Sequence, residues 1–364
     1  MNMPIEQEQR YKRFIRRWLL IVYVMIGAMI LLGGITRLTD SGLSMISWKP
    51  ILGTLPPLSS NSWQHAFDQY KLYPQYQVLN PTMGLSEFKA IYFWEYIHRL
   101  VARLLGLIYL IPLVYLITSK KVNPVLKLNL LAIGLLGSLQ AFLGWFMVQS
   151  GLNELPTISH IRLSAHLTLA FTIAAYTWWI YLNQHVLPCG IPKPSLARAS
   201  KIFSIILIIQ ISLGGLMAGL KAGYLYNTFP DYNGLPLPDL SNLAPLNVEM
   251  FFNSSQIVHF MHRTLGLLIT GYAFSLGFRS IRRSSNTHQF YVSITFLTIT
   301  ILQVCLGIAT IMNNLPIWLC SLHQLTAFLL VGVTLTHAYI FEYTPRLCTA
   351  FTQKSSSGFH SESM

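Results

Sequence analysis

Glu95, His98, Arg99 and Arg103 stand together at the mouth of an apolar run that starts near residue 91. Ionisable groups at membrane depth are costly, so where they occur they face a bundle interior and mark a site. Glu95 and His98 are three residues apart and share a helix face, while Arg99 and Arg103, four apart, form an adjacent stripe. An imidazole can ligate a metal. A carboxylate can act as a general base or stabilise developing positive charge. A guanidinium fork suits a carboxylate ligand group.

The same residue types recur along the chain. His98 and His166 each fall a few residues inside an apolar run, as do His262 and His323. At a rise of about 1.5 Å per residue, the first two imidazoles lie about 8–10 Å below one membrane face, and the second two at matching depth. Two imidazoles at one level on two helices can clamp a haem iron between them. The four histidines therefore read as two bis-histidine haem sites. Arg99, Arg103 and Arg263 stand beside the ligands as propionate partners, and Arg37 ends the first run. Arg162 lies one turn above His166.

The elements that position them follow from composition. The 364 residues are 53% hydrophobic and 10% charged, where a soluble domain carries about 25% charged residues. Runs near 18–36, 91–117, 129–148, 160–182, 201–220, 256–278, 291–312 and 317–341 are each long enough to span a bilayer. The net charge of +13 sits in short loops between them, which is a topology signal and not a nucleic-acid stripe. Tail 1–17, turns 118–128 and 279–290, linker 183–201 and the C-terminal tail hold 16 Lys and Arg; the alternate loops hold 5. Both termini are therefore expected in the cytoplasm. Glu6 and Glu8 argue against an organelle presequence, and the first run is too long for a signal-peptide core. A bacterial inner membrane is the expected location.

A four-helix unit repeats. Leu32-Gly33-Gly34-Ile35 returns as Leu213-Gly214-Gly215-Leu216, and Tyr96-Ile97-His98-Arg99 as Phe260-Met261-His262-Arg263. Leu139-Gln140-Ala141-Phe142-Leu143-Gly144 returns as Leu302-Gln303-Val304-Cys305-Leu306-Gly307, and Ala165-His166-Leu167-Thr168 as Leu322-His323-Gln324-Leu325. The glycine pairs let helices approach closely. The expected fold is an all-α membrane protein, with eight transmembrane helices as two pseudo-repeated four-helix bundles. Its parts are a tail at 1–17, a bundle at 18–182, a linker at 183–200, a second bundle at 201–342 and a tail at 343–364. Loops 37–90 and 220–255 are long and rich in proline and aromatics, which favours ordered caps.

The repeat is not perfect. Glu95 aligns with His259, so the second half has no acid at that place. This assigns catalysis to the first half, with Glu95, His98 and His166 as its residues, and a retained, electron-transferring haem to the second. Glu95 is equally placed to pair with Arg99 or Arg103. His259 either orients a propionate or hydrogen-bonds in the core, and His160 is either surface or pocket. His65, His185, His288 and His360 read as solvated, and His337 as structural. Cys305 and Cys320 read as buried small hydrophobes; Cys189 and Cys348 fall in cytoplasmic segments, so no disulfide is available on the outer face.

Gly33-Gly34-Ile35-Thr36-Arg37-Leu38-Thr39, then Ser41-Gly42-Leu43-Ser44, then Glu95-Tyr96-Ile97-His98-Arg99 resemble haem A synthase of the proteobacterial and mitochondrial subtype. The resemblance covers about residues 15–342. It implies oxidation of the C8 methyl group of haem O to a formyl group, giving haem A for cytochrome c oxidase. Two successive hydroxylations and a loss of water are implied, with oxygen from water and electrons passing to an acceptor. His98 and His166 match the family's substrate-haem histidines, Glu95 its functional glutamate, and His262 and His323 the ligands of a bound haem b. Another subtype has a cysteine pair in the first outer loop; residues 37–90 here hold no Cys.

Two other readings compete. A di-haem b-type electron carrier, such as a quinol oxidoreductase, stacks two haems in one bundle, with histidines about thirteen or fourteen residues apart on each helix. That spacing from His98 reaches Ile111 and Pro112, and from His166 reaches Trp179 and Ile180. A haem-export subunit would need no resident haem. The expected partners are the haem O substrate, a haem O synthase, an electron acceptor, membrane lipid and a second copy of the chain.

Overall fold

The computed structural model describes residues 5–46, 55–119, 122–153, 156–184, 190–239 and 248–342. Cys189, Cys348, His185 and His360 lie outside them. Ten α-helices follow in order: α1 Ile5–Leu38, α2 Ser60–Lys71, α3 Leu85–Thr118, α4 Pro124–Asn153, α5 His160–Asn183, α6 Pro194–Gly219, α7 Val248–Asn253, α8 Ser255–Arg282, α9 Thr287–Met312 and α10 Ile317–Glu342. Among the described residues the sole β pairing is an isolated bridge, Tyr232 to Leu235.

Among the described residues seven helices are long and apolar enough to cross a membrane: α1, α3, α4, α6, α8, α9 and α10. The chain is a multi-pass helical membrane protein. Eight such runs were expected, and α5 is the one that falls short. It has 24 residues, enough at about 1.5 Å each to cross about 30 Å of hydrocarbon. His160, Arg162, Ser164 and His166 in its first two turns lower its hydropathy.

The helices also start earlier than their apolar cores. α1 begins at Ile5, inside the expected tail 1–17, because Glu, Gln, Arg and Lys are strong helix formers and nothing there breaks the turn. α6 begins inside the expected linker 183–200, where Pro194 takes the first helical turn and loses no hydrogen bond. Ser159, Ser254 and Asn286 cap α5, α8 and α9 by accepting from the N–H three residues on.

α1 packs on α3 and α5, and α4 on α3 and α5. Likewise α6 packs on α8 and α10, and α9 on α8 and α10. The two sets meet through α5–α6, α1–α10 and α5–α10 contacts. Of the seven apolar spans α10 is the most buried and α4 the least. Leu104, Leu107, Ile111 and Val114 form an exposed apolar stripe along α3, a face that hydrocarbon solvates. Within the spans, hydroxyls such as Thr270, Thr300 and Thr334 donate to the carbonyl four residues back, which satisfies these groups inside their own helices.

The segment between α1 and α3 is ordered over residues 55–84. Ser59 caps α2 with a reciprocal bond to Ser62. Phe67, Tyr70 and Phe88 bury a small core with Trp63, Tyr76 and Tyr92 around it, each full burial contributing about 1.5–3 kcal/mol. Tyr70 donates to Gln75, and the Gln75 amide donates to the Asp40 carbonyl at 2.8 Å, tying this cap to the end of α1. Between α6 and α8 a tight turn at Tyr232–Leu235 uses Asn233 and Gly234 at φ 55° and 89°.

Candidate functional site

Each of the four candidate ligands rises from its own helix: His98 on α3, His166 on α5, His262 on α8 and His323 on α10. All four rings are half-buried. His98 lies within Coulombic range of His166, and His262 within range of His323. The structure thus brings the four together as two pairs, one in each half.

Every ring also faces a glycine of a neighbouring helix. A methyl group on Gly33 would lie 3.6 Å from His98 Nε2. One on Gly144 would lie 3.1 Å from His166 Cε1, one on Gly214 3.3 Å from His262 Cε1, and one on Gly307 2.9 Å from His323 Cε1. Removing Cβ makes room for an imidazole edge against a helix backbone.

Three glutamines, each one turn before its glycine, complete the surroundings. Gln140 Nε2 lies 3.2 Å from His166 Nε2 and donates to the His166 carbonyl at 3.1 Å. Gln210 Nε2 lies 3.1 Å from His262 Nδ1 and donates to the His262 carbonyl at 2.9 Å. Gln303 Nε2 lies 3.2 Å from His323 Nε2, and its backbone carbonyl 3.1 Å from His323 Nδ1. These residues carried no role in the sequence reading. The signal was there in the repeated Gln-x-x-x-Gly spacing.

Glu95 is 2% exposed. Its Oε2 accepts from Ser44 Oγ and from the Met45 N–H, both at 2.7 Å. Its Oε1 accepts from Arg99 Nη2 at 2.6 Å, and the same Arg99 nitrogen reaches the Met45 carbonyl at 2.8 Å. The ion pair that the spacing allowed is therefore formed, and it clasps Ser44 and Met45 against α3 about three turns from its start. Leaving one partner of such a buried pair alone costs about 3–5 kcal/mol. Arg103 lies one turn deeper, close to Arg99.

Position 259 is built differently. His259 is fully buried, stacked on Tyr226 at 5.4 Å and edge-on to Tyr232 at 5.9 Å. Both of its ring nitrogens lack a partner among the described residues. One turn on, Arg263 Nη2 donates to the Pro230 and Asp231 carbonyls at 2.9 and 3.0 Å and lies over the Tyr232 ring, while its Nη1 is buried and unpartnered among the described residues. In this turn the Thr228 hydroxyl, with the Gly234 N–H and Arg263, holds the Asp231 carboxyl below the usual carboxylate range.

Arg37 is set apart from the ligands. Its Nη1 pairs with Asp40 at 2.7 Å and its Nη2 donates to the Ala218 and Gly219 carbonyls, so it caps the end of α6. Arg162 lies on the Phe146 ring and donates to the Phe146 carbonyl. His160 hydrogen-bonds Asn253 at 2.8 Å, joining α5 to α7. His337 is fully buried between Ser200 and Ser293, and His65 and His288 are exposed. Cys305 is exposed and Cys320 partly so, both as free thiols.

The described residues thus form a helical membrane protein with two pairs of half-buried imidazoles, each ring beside a glycine of a neighbouring helix. The family model described as Cytochrome oxidase assembly protein matches residues 16–335. A protein of Nitrosospira multiformis named Heme A synthase is 39% identical over 347 residues, covering 92% of this chain and 96% of the relative. Proteins of the same name from Flavobacterium psychrophilum and Sinorhizobium fredii are each 38% identical, covering 87% and 94% of this chain and 95% and 94% of the relatives. The chain belongs to the COX15-CtaA family of cytochrome oxidase assembly proteins.

Proposed function

We propose that this chain is a haem A synthase, an oxidoreductase that converts the C8 methyl group of haem O into a formyl group. The observation that carries the reading is the single carboxylate: two imidazole pairs are built alike, and only the first has Glu95 one turn from its ligand. The names of the relatives agree with it.

In this reading His98 and His166 hold the substrate haem O, and α1 with Gly33 forms the wall behind His98. Glu95 is fixed by Ser44, Met45 and Arg99. Its negative charge stabilises the electron-deficient carbon that forms as the methyl group is oxidised, and it accepts a proton from the attacking water. Each hydroxylation adds one water oxygen and releases two protons and two electrons; the geminal diol then loses water to leave the aldehyde. Arg99 and Arg103 stand on the substrate side for the propionates.

The half-buried, glycine-backed pair His262 and His323 fits a resident haem b, which would supply one-electron transfer out of the site. Arg263 and His259, with buried nitrogens left over, suit its propionates. Arg37 acts as a pin between the halves and less as a propionate partner. We take α5 as an eighth span, which makes α1, α3, α4, α5 and α6, α8, α9, α10 two pseudo-repeated four-helix bundles. The loop charges support this reading, with both termini in the cytoplasm of a bacterium and the sites near the outer leaflet of the inner membrane. A haem O synthase docked on this chain would deliver an insoluble substrate directly.

The test is pigment extraction from a haem O-producing host with and without this chain. Haem A that depends on the chain is expected. Unchanged haem O with no haem A overturns the reading in favour of a di-haem electron carrier.

A further inference from the structure

The three glutamines and the one place that lacks one carry an inference that rests on the bis-histidine reading above. Gln140, Gln210 and Gln303 each stand four residues before the glycine that backs a ligand. The equivalent residue before Gly33 is Met29. So His166, His262 and His323 each have a carboxamide within 3.2 Å of a ring nitrogen, and the matching turn beside His98 offers a thioether.

We propose that Gln140, Gln210 and Gln303 are positioning residues that fix the rings of His166, His262 and His323. His98, with Met29 in the matching place, is the ligand that lets go when porphyrin enters or leaves.

An iron-bound imidazole is neutral, and its other N–H needs an acceptor that sets the tautomer and the ring plane. At His166 and His262 a carboxamide supplies one through its oxygen; at His323 the backbone carbonyl of Gln303, 3.1 Å from Nδ1, already supplies it. In all three glutamines Oε1 is buried and unpartnered among the described residues, although Nε2 is engaged. Turning the amide about its last torsion presents that oxygen to the ring. His166 Nδ1 is likewise buried without a partner, so one of its nitrogens stays open while the other meets the amide. A thioether is only a weak acceptor and fixes no ring plane. The substrate site thus has one braced and one unbraced ligand, and the second-half site has two braced ligands. That difference suits a group that must exchange in one half and stay in the other.

The experiment uses the purified full chain in detergent and follows transfer of haem b and haem O to excess apomyoglobin, alongside the low-spin EPR signal. Gln210→Leu should speed haem b loss about 10–100-fold, in line with the loss of a ligand's hydrogen-bond partner, and should move the EPR signal. Gln210→Glu keeps an acceptor oxygen and should restore both, while Gln303→Leu keeps the backbone carbonyl on His323 Nδ1 and should change haem b loss less than Gln210→Leu. Met29→Gln adds the missing amide and should slow haem O loss by about 10-fold or more with haem b loss unchanged. Wild-type loss rates and an unmoved signal in Gln210→Leu overturn the bracing. Unchanged haem O loss in Met29→Gln overturns the exchange role of His98. His262→Ala separates this from the parent reading: if it keeps the low-spin signal, the ligand assignment itself fails.

Discussion

Gly34 on α1 packs directly against the Gln324 side chain of α10, the residue next to His323. The Gln324 amide donates to the Ile30 carbonyl at 2.9 Å in the same contact. The preceding Gly33 backs His98 on the other side of α1. The repeat does the same with its own pair: Gly214 backs His262, and Gly215 packs on Ser164, two residues before His166. Each double glycine therefore meets one candidate ligand and one helix that carries another candidate ligand.

A side chain at Gly34 or Gly215 must push these halves apart. Gly34→Val and Gly215→Val should each cost about 1–3 kcal/mol by overpacking. Thermal unfolding of the purified protein should show it as a lowered midpoint. An unchanged midpoint would mean that the contact yields freely.

The glycines behind the ligands predict a selective effect. Gly307→Ala crowds His323 at 2.9 Å and Gly144→Ala crowds His166 at 3.1 Å. The first should lower bound haem b and leave haem O, and the second the reverse, as read by pigment extraction from purified protein. Equal loss of both pigments from either variant would speak for general unfolding.

His262→Ala and His323→Ala should each abolish the bis-histidine spectrum of the resident haem. Reduced-minus-oxidised difference spectra check this, and an intact signal would refute those ligands.

Arg263 holds the Pro230 and Asp231 carbonyls, and Arg263→Leu frees them at a cost of about 1–3 kcal/mol. Limited proteolysis should then cut the 226–239 turn faster. The Asp231 carboxyl is depressed in the fold, so its contribution is present above its unfolded value of about 3.9 and is lost as pH falls further. The turn should therefore keep its protease resistance at neutral pH and lose it below about pH 4. Resistance that held at low pH would remove Asp231 from the account.

Seven of the spans were legible because apolar runs are local in the chain. The Glu95–Arg99 pair was legible as well, since residues four apart on a helix meet. Arg37 was misjudged because its partners, the Ala218 and Gly219 carbonyls, belong to a helix end 181 and 182 residues away. Gln140 and Gln303 stood out only as repeat markers and Gln210 not at all, because an amide in an apolar run does not by itself reveal which ring it faces. Helix starts were missed at Ile5 and Pro194, where charged helix formers extend a helix past its apolar core.

The division of labour between the halves depends on Glu95, and the direct measurement is the pigment content of cells carrying Glu95→Gln. This variant keeps the size of the side chain and much of its bonding to Ser44. Haem b should stay bound, haem O should accumulate, and haem A formation should fall by about 10²–10⁴-fold, the range of a lost acid–base group. Haem A made at the normal rate would contradict the assignment.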